Sequence, residues 1–506
     1  MAAAAAADRF SSLPDAVLVR VVSFLPVKDA ARTAVLSRRW QPLWLRTGTL
    51  NLDTRSYGHF VYQIREPLFR DAGAALRRLL PPVRSLSLLV KRDGGKECQE
   101  VIGVPSYSPW DPFTRAAAPV PRYLDSLLAD PALRRLEELR LRFEIKEKQS
   151  LRYIYQLRPE ALPGHTLREL DVACCRLEMP RAAAFPRLVS LRLDRCWVPA
   201  HHLAALTGAA PNLATLRIEK LDTFFFDEEG KGGGRWALHC PNLTDLSIVD
   251  AHIPADIDAP GLRAFSYRGI YTAITFASDA TKLMRADVVF SCRYQGQELP
   301  ILVWRCLRSL RHAKMLKLNL LSLEDIVLDK GTHGEQLVVF QSLEHLQLEC
   351  AVQSGRGTKD PADAIAALLQ CCPVIRELQL RLREDRGWQW NDSRVRQKPE
   401  FEVSLDLFKG RRSMLNNDDS YLRVTDVRGL SGCWFNCLHN HLKVVKLQFD
   451  LKELDSFEVS LAKFFAENCK VLEDMQIDDG SQSFSGHINR MVERWRLNAS
   501  KRSSTK

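Results

Sequence analysis

Residues 167–196 read LRELDVACCRLEMPRAAAFPRLVSLRLDRC and hold one short pattern twice. Leu167, Leu170 and Val172 stand at offsets 0, 3 and 5, with Cys175 three residues further on. Leu188, Leu191 and Leu193 with Cys196 repeat it. Side chains of an extended chain alternate with period two, so offsets 3 and 5 share one side of a strand. The apolar residue at offset 0 and the small residue after the strand then turn inward at the bends. Neither copy can bury that apolar side alone, so copies must stack around one shared core.

Further copies lie on both sides. Leu213, Leu216 and Ile218 with Leu221 follow, then Leu243, Leu246 and Ile248 with Ala251, and a looser Leu262, Phe265, Tyr267. Upstream are Val83, Leu86, Leu88 and Leu136, Leu139, Leu141. Downstream are Leu343, Leu346, Leu348; Ile375, Leu378, Leu380; Leu442, Val445, Leu447; and Leu472, Met475, Ile477. Helical runs at 201–206, 364–369 and 461–465 each lead through a turn into the next strand. The pattern resembles the leucine-rich repeat, L–x–x–L–x–L–x–x–[NC]. That resemblance implies an α/β solenoid, a parallel sheet with helices on its outer face. Spacings are irregular, so the array is degenerate and holds on the order of ten copies. Poorly patterned stretches near 91–122 and 381–437 read as loop insertions, and 227–235 and 355–360 as glycine-bearing turns. Long insertions in a solenoid are often functional.

Ahead of the array, residues 11–50 read SSLPDAVLVRVVSFLPVKDAARTAVLSRRWQPLWLRTGTL. Val17, Leu18, Val21, Phe24 and Leu25 form an apolar helical face, with Pro14 in the first turn and Pro26 as its stop. Asp29 is a candidate cap for a second helix and Ser37 for a third, which projects Leu36, Trp40, Leu43 and Trp44. So few residues keep much of their surface wet and must lean on other chain or another protein. Leu13, Pro14, Val17, Leu18, Val21, Phe24, Leu25, Pro26, Leu36, Ser37, Arg38, Arg39, Trp40 and Trp44 carry the spacing of an F-box, which this segment resembles. The resemblance implies a three-helix unit that docks a Skp-type adaptor through Leu13, Pro14, Leu18, Val21, Phe24, Leu25, Leu36, Trp40 and Trp44. Part of its helical face is expected to rest on the first repeat near Val83–Leu88, leaving Pro14 and Leu18 near the centre of the docking surface.

At the other end, residues 438–480 resemble the FBD module that follows leucine-rich repeats in many plant F-box proteins. Leu438, His441, Leu442, Lys443, Val445, Leu461, Phe464, Glu467, Asn468, Val471, Leu472, Glu473 and Met475 carry the match. Physically it is one more strand, helix and strand, closing the array. The expected order is therefore a tail at 1–10, an F-box at 11–50, repeats at 51–437, an FBD-like terminal repeat at 438–480, and a C-terminal segment with a basic tail at 481–506.

Composition sets the outer limits. The chain has 506 residues, 46% of them hydrophobic, with no run of the roughly 18 apolar residues that would span a membrane. MAAAAAAD lacks the basic and strongly apolar regions of a secretory signal. Thirteen cysteines without such a signal point to reduced thiols, in the cytoplasm, the nucleus or both. The formal charge of +11 comes from scattered arginines rather than a stripe, which argues against a nucleic-acid partner.

Candidate chemistry is sparse. Cys433, Cys437, His439 and His441 cluster but crowd too closely for a tetrahedral zinc site. In each of the pairs Cys174-Cys175 and Cys371-Cys372, one thiol is expected to pack inward at a bend. Residues 231–234 (KGGG) lack the second half of a phosphate loop. Arg381, Leu382 and Arg383 with Trp388 and Trp390 suggest a solvated or protein-binding loop. No nucleophile motif appears, and neither a metal nor a cofactor is implied.

The resemblances together imply a non-catalytic substrate receptor of an SCF-type ubiquitin ligase. Its adaptor would link it to a cullin–RING ligase, and its repeats would hold a target protein. Two alternatives stay open. One is a small-molecule co-receptor of the same architecture, with Arg192, Arg217, Arg263 and Lys317 meeting an anion. The other is an RNA-binding solenoid, motivated by the pI near 9.0.

Overall fold

The computed structural model describes residues 12–57, 61–91, 123–144, 155–157, 162–177, 184–221, 235–251, 254–270, 274–290, 299–328, 337–352, 360–384, 424–427, 429–430, 432–449, 456–478 and 491–499. Most of the two long insertions, the 227–235 turn except Arg235, the 355–360 turn except Asp360, both extreme tails, Trp388 and Trp390 lie outside them. Contacts divide the chain into two compact units after Pro260.

The first unit opens with α1 (Asp15–Val22) and α2 (Val27–Arg32), followed by 3-10 turns at Thr33–Val35 and Trp44–Arg46. The second helix starts at Val27, ahead of the expected cap at Asp29, and the third element is turns rather than an α-helix. Then come β1 (Thr49–Asp53), α3 (Val61–Arg78), β2 (Ser85–Lys91), α4 (Tyr123–Leu128), β3 (Glu138–Glu144), β4 (Glu169–Ala173), β5 (Ser190–Asp194), α5 (Ala200–Gly208), β6 (Thr215–Glu219) and β7 (Asp245–Val249). The seven strands pair in chain order, all parallel. Register is residue for residue: Leu86, Leu139, Leu170, Leu191, Leu216 and Leu246 form one row, each no more than 2% exposed. Leu88, Leu141, Val172, Leu193, Ile218 and Ile248 form the next core row. The offset-0 residues and Cys175, Cys196, Leu221 and Ala251 are buried too, as the inward-turning bends require. Cys174 is also buried, so both thiols of that pair, and of Cys371-Cys372, sit in the core.

One backbone device recurs after four strands. Cys174, Arg195, Lys220 and Asp250, each directly following β4 to β7, have φ between 48° and 59°. The N–H groups of Cys174, Arg195 and Lys220 donate to the last carbonyls of the following strands, Asp194, Glu219 and Val249, at 2.7–2.8 Å. The left-handed turn thus extends the ladder by one bond while swinging the next residue into the core. Non-glycine residues hold that conformation at a cost of about 1–2 kcal/mol, least for Asp and Asn. Asp250→Val, which adds a β-branch there, is expected to lower stability by about 1–3 kcal/mol, with Asp250→Gly near neutral. Thermal unfolding of the two variants checks this; equal stability would remove the argument.

The N-terminal helices are held by β1, a strand the repeat pattern does not reveal and which pairs with β2, and the Arg84 N–H donates to the Gly48 carbonyl at 2.9 Å. Asn51 Nδ2 donates to the carbonyls of Ser23 at 2.7 Å and Leu25 at 3.2 Å, and Thr49 Oγ1 to Ser23 at 3.2 Å. Ser56 Oγ donates to Asp29 at 2.6 Å, and the Lys28 ammonium lies 4.1 Å from the Tyr57 ring centre. Carbonyls at the end of α1 are thereby satisfied by the edge of the sheet.

The second unit has the same plan. Its strands β8 (Ala264–Gly269), β9 (Arg285–Phe290), β10 (Met315–Ser322), β11 (His345–Val352), β12 (Glu377–Glu384), β13 (Val444–Phe449) and β14 (Asp474–Asp478) pair in order and parallel. Return helices are α6 (Leu299–Ser309), α7 (Pro361–Cys371), α8 (Asn436–Asn440) and α9 (Phe457–Asn468). Arg381, Leu382 and Arg383, expected in a loop, belong to β12, with Leu382 in the core. Residues 491–499 are helical; Met491, Val492 and Trp495 are buried, and Arg496 donates to the Leu472 carbonyl at 2.8 Å. No described helix is long and apolar enough to cross a membrane.

Candidate docking surfaces

Helix α1 is apolar on two sides, which an ordinary surface helix is not. Leu18 and Val22, four residues apart, point into the chain and are 0% and 1% exposed. Val17, Val21 and Phe24 point out, at 44%, 41% and 67% exposed. Leu18 is therefore a core residue, not the centre of an open face: the 3.6-residue period forces one of the two apolar stripes inward, and it is the one holding Leu18. Among the other expected contacts, Pro14 and Leu36 are exposed, while Leu13, Leu25, Trp40 and Trp44 are half-buried. Val35, 89% exposed, was not among them. Arg39 donates to Asp15 at 2.8 Å and to the Leu13 carbonyl, pinning the start of α1 to the turns that carry the tryptophans.

The open face of the first unit is a lattice of alternating charges. Arg140 meets Glu169 at 3.4 Å, Arg192 meets Glu219 at 3.5 Å, and Arg142 lies between Asp171 at 3.4 Å and Asp194 at 3.6 Å. Arg195 adds a second cation to Asp194, whose burial makes the pairing necessary. Arg217 is exposed with no partner among the described residues. A face that neutralises itself is a poor track for a polyanion and a good one for a partner with its own pattern of both signs.

In the second unit Lys317 lines a shallow groove of about 180 Å³ on the open face, and Arg263 lies before β8. Glu377 accepts from Lys446 at 2.7 Å and contacts His345 Nδ1 at 3.1 Å. The Lys446 bond, more than His345, holds the Glu377 carboxyl below the usual carboxylate range. A lowered folded-state pKa contributes stability above the unfolded carboxylate's pKa and loses it as pH falls through the lower value. Lys446→Met is expected to bring the Glu377 pKa back toward the ordinary range, read by carboxyl carbon NMR during a pH titration. An unmoved pKa would show that Lys446 is not the cause.

The soft-ligand cluster does not converge. Cys437 is buried, its thiol pushed up to about 11 by desolvation, and it donates weakly to the Leu369 carbonyl at 3.6 Å. Cys433 is exposed, and His439 stacks on the exposed Trp434 with ring centres 5.3 Å apart. Among the described residues no group of three or more His, Cys, Asp or Glu is placed to hold a metal ion.

Comparison with known proteins follows this geometry along the chain. The F-box domain model matches residues 10–48, and the FBD model matches residues 432–477. Between them, the model described as "FBD-associated F-box protein At5g56370, LRR repeats" matches residues 124–251. The chain carries an F-box, leucine-rich repeats and an FBD. Two Arabidopsis thaliana proteins, F-box/FBD/LRR-repeat protein At4g26340 and F-box/FBD/LRR-repeat protein At5g56420, are each 25% identical to it. The first alignment covers 74% of this chain and 77% of the relative, the second 75% and 78%. A shorter alignment, to the putative F-box/FBD/LRR-repeat protein At4g00315 of the same plant, is 54% identical over 50 residues, 10% of this chain and 11% of the relative. The FBD match spans α8, β13, α9 and β14, so in this fold the module is the last two strands of the sheet with their return helices.

Proposed function

We propose that the chain is the substrate-recognition subunit of an SCF-type ubiquitin ligase, its F-box docking a Skp-type adaptor and its repeats holding a target protein. The outward stripe of α1 carries the adaptor reading: Val17, Val21 and Phe24 stay exposed although Leu18 and Val22 already anchor the helix. Single exposed apolar residues are ordinary, but two on α1 and one in the turn that ends it, with Val35 and Leu36 exposed nearby in sequence, match a surface awaiting a partner. Pro14, Leu36, Leu13, Leu25, Trp40 and Trp44 complete the proposed contact set; Leu18 supports it from beneath.

In this reading the protein performs no bond chemistry. It raises the local concentration of a target lysine near a charged conjugating enzyme bound to the same cullin–RING assembly. The domain order, F-box first and repeats after, supports this arrangement, and the repeats' mixed-charge face suits a protein target. Co-expression of the full chain with a Skp-type adaptor, followed by affinity purification and gel filtration, tests it. A stable complex is expected; separate elution of a folded chain sinks the assignment.

A further inference from the structure

A concavity borders the adaptor stripe and shares Phe24 with it. Between the N-terminal segment and the open face of β1 to β3 is a cleft of about 750 Å³, within the size range of binding sites. Arg20, Arg46, Arg55, Arg84 and Arg140 line it, against the carboxylates Asp53, Glu137 and Glu138.

Those arginines differ in what already occupies them. Arg55 Nε grips both Asp53 oxygens, at 3.0 and 2.9 Å, and Arg140 reaches Glu169 at 3.4 Å. Arg46 and Arg84 stand 3.8 Å from Asp15 and Glu137, beyond hydrogen-bond reach. Among the described residues Arg20 meets the Phe24 ring, whose centre is 4.9 Å from its guanidinium carbon. Three guanidinium forks therefore have no side-chain hydrogen bond to any described residue. A planar guanidinium matches a carboxylate with two parallel bonds, so these groups are set up to receive one. They come from three separate elements, α1, the turn before β1 and the turn before β2, and Phe24, Pro81 and Pro82 supply apolar wall around them.

We propose that this cleft binds an extended acidic peptide segment, its carboxylates on Arg20, Arg46 and Arg84 and an apolar side chain against Pro81 and Pro82, Phe24 being left to the adaptor. Cations spread over three elements fit carboxylates spaced along a chain better than one compact anion. The interleaved Asp53, Glu137 and Glu138 repel a continuous phosphate backbone, which wants an uninterrupted basic track. The inference deepens the reading of the repeats as a target-holding surface by naming the target's chemistry, and it rests on that reading.

The test uses full-length protein and a fluorescein-labelled peptide of repeating Glu-Glu-Leu-Ser, with a Gln-Gln-Leu-Ser control, followed by anisotropy. The acidic peptide is expected to bind, the control to bind at least about ten-fold more weakly, and Arg84→Glu to weaken the acidic peptide by at least about ten-fold. Arg263→Glu, a charge reversal in the second unit, should leave affinity unchanged. No binding of the acidic peptide, equal binding of the control, insensitivity to Arg84→Glu, or full displacement by equimolar inorganic phosphate each overturns the proposal. Arg84 lies outside the F-box match, so adaptor co-purification of Arg84→Glu separates the two failures. Retained adaptor with lost peptide supports this site, and retained adaptor with unchanged peptide ends this inference alone.

Discussion

Phe24→Asp is expected to weaken adaptor binding by at least about a hundred-fold while leaving the unfolding temperature within about 2 °C of wild type. Phe24 is 67% exposed and among the described residues its ring partner is Arg20, so the free chain loses little: a cation–π contact at an exposed site contributes about 0.5–1 kcal/mol. In a complex, a buried aromatic anchor carries about 2–4 kcal/mol, and an aspartate in its place would be desolvated without a partner. Leu18→Ala is the informative contrast. Its side chain is fully buried, and truncation is expected to cost about 2–5 kcal/mol of stability. Isothermal titration with the adaptor and thermal unfolding of both variants separate the roles. If Phe24→Asp binds normally, the outward stripe is not the docking surface.

How far such surfaces can be read without coordinates depends on periodicity. The apolar triplets sit wherever a strand has three large residues to show, and every copy found that way lies in a strand. Two strands escape for one reason. Leu283, Ala286, Val288 before and in β9, and Ala313, Leu316, Leu318 before and in β10, each place alanine where the pattern wants bulk. Alanine fills a core position sterically but is silent as a hydrophobic signal. Strand β1 hides behind the F-box boundary, and α3 carries Pro67, a residue that normally argues against a helix interior.

The site shows the same limit. That α1 is apolar on more than one side is plain in its residues; which stripe turns inward is decided by β1 and the turns packed against it. The left-handed positions carry Cys, Arg, Lys and Asp instead of glycine, so no composition cue marks them. Arg20, Arg46 and Arg84 meet only because two turns and a helix end converge, and nothing local links them.

Trp304→Ala is expected to have the largest effect on the second unit, a loss of about 3–5 kcal/mol. Trp304, on α6, is fully buried, and its indole N–H donates to the Ile326 carbonyl at 2.9 Å. That carbonyl ends a 3-10 turn (Leu323–Ile326) held by a capping box in which the Ser322 N–H meets Asp325 at 3.1 Å. The tryptophan thus joins the return helix before β10 to the turn after it. In a stacked array each repeat contacts mainly its neighbours, so weakening one junction lowers the coupling between the strands on either side. Trp304→Phe keeps most of the ring but leaves the carbonyl unpaired, an intermediate cost of about 1–3 kcal/mol. Urea unfolding by circular dichroism should show midpoints falling in the order wild type, Phe, Ala. The Ala variant should also unfold over a broader range, because a split array loses cooperativity and its apparent m-value drops. Hydrogen exchange should place the lost protection on β9 to β11. A narrow, single transition with protection lost evenly across the unit would show that α6 only covers the core and does not couple its repeats.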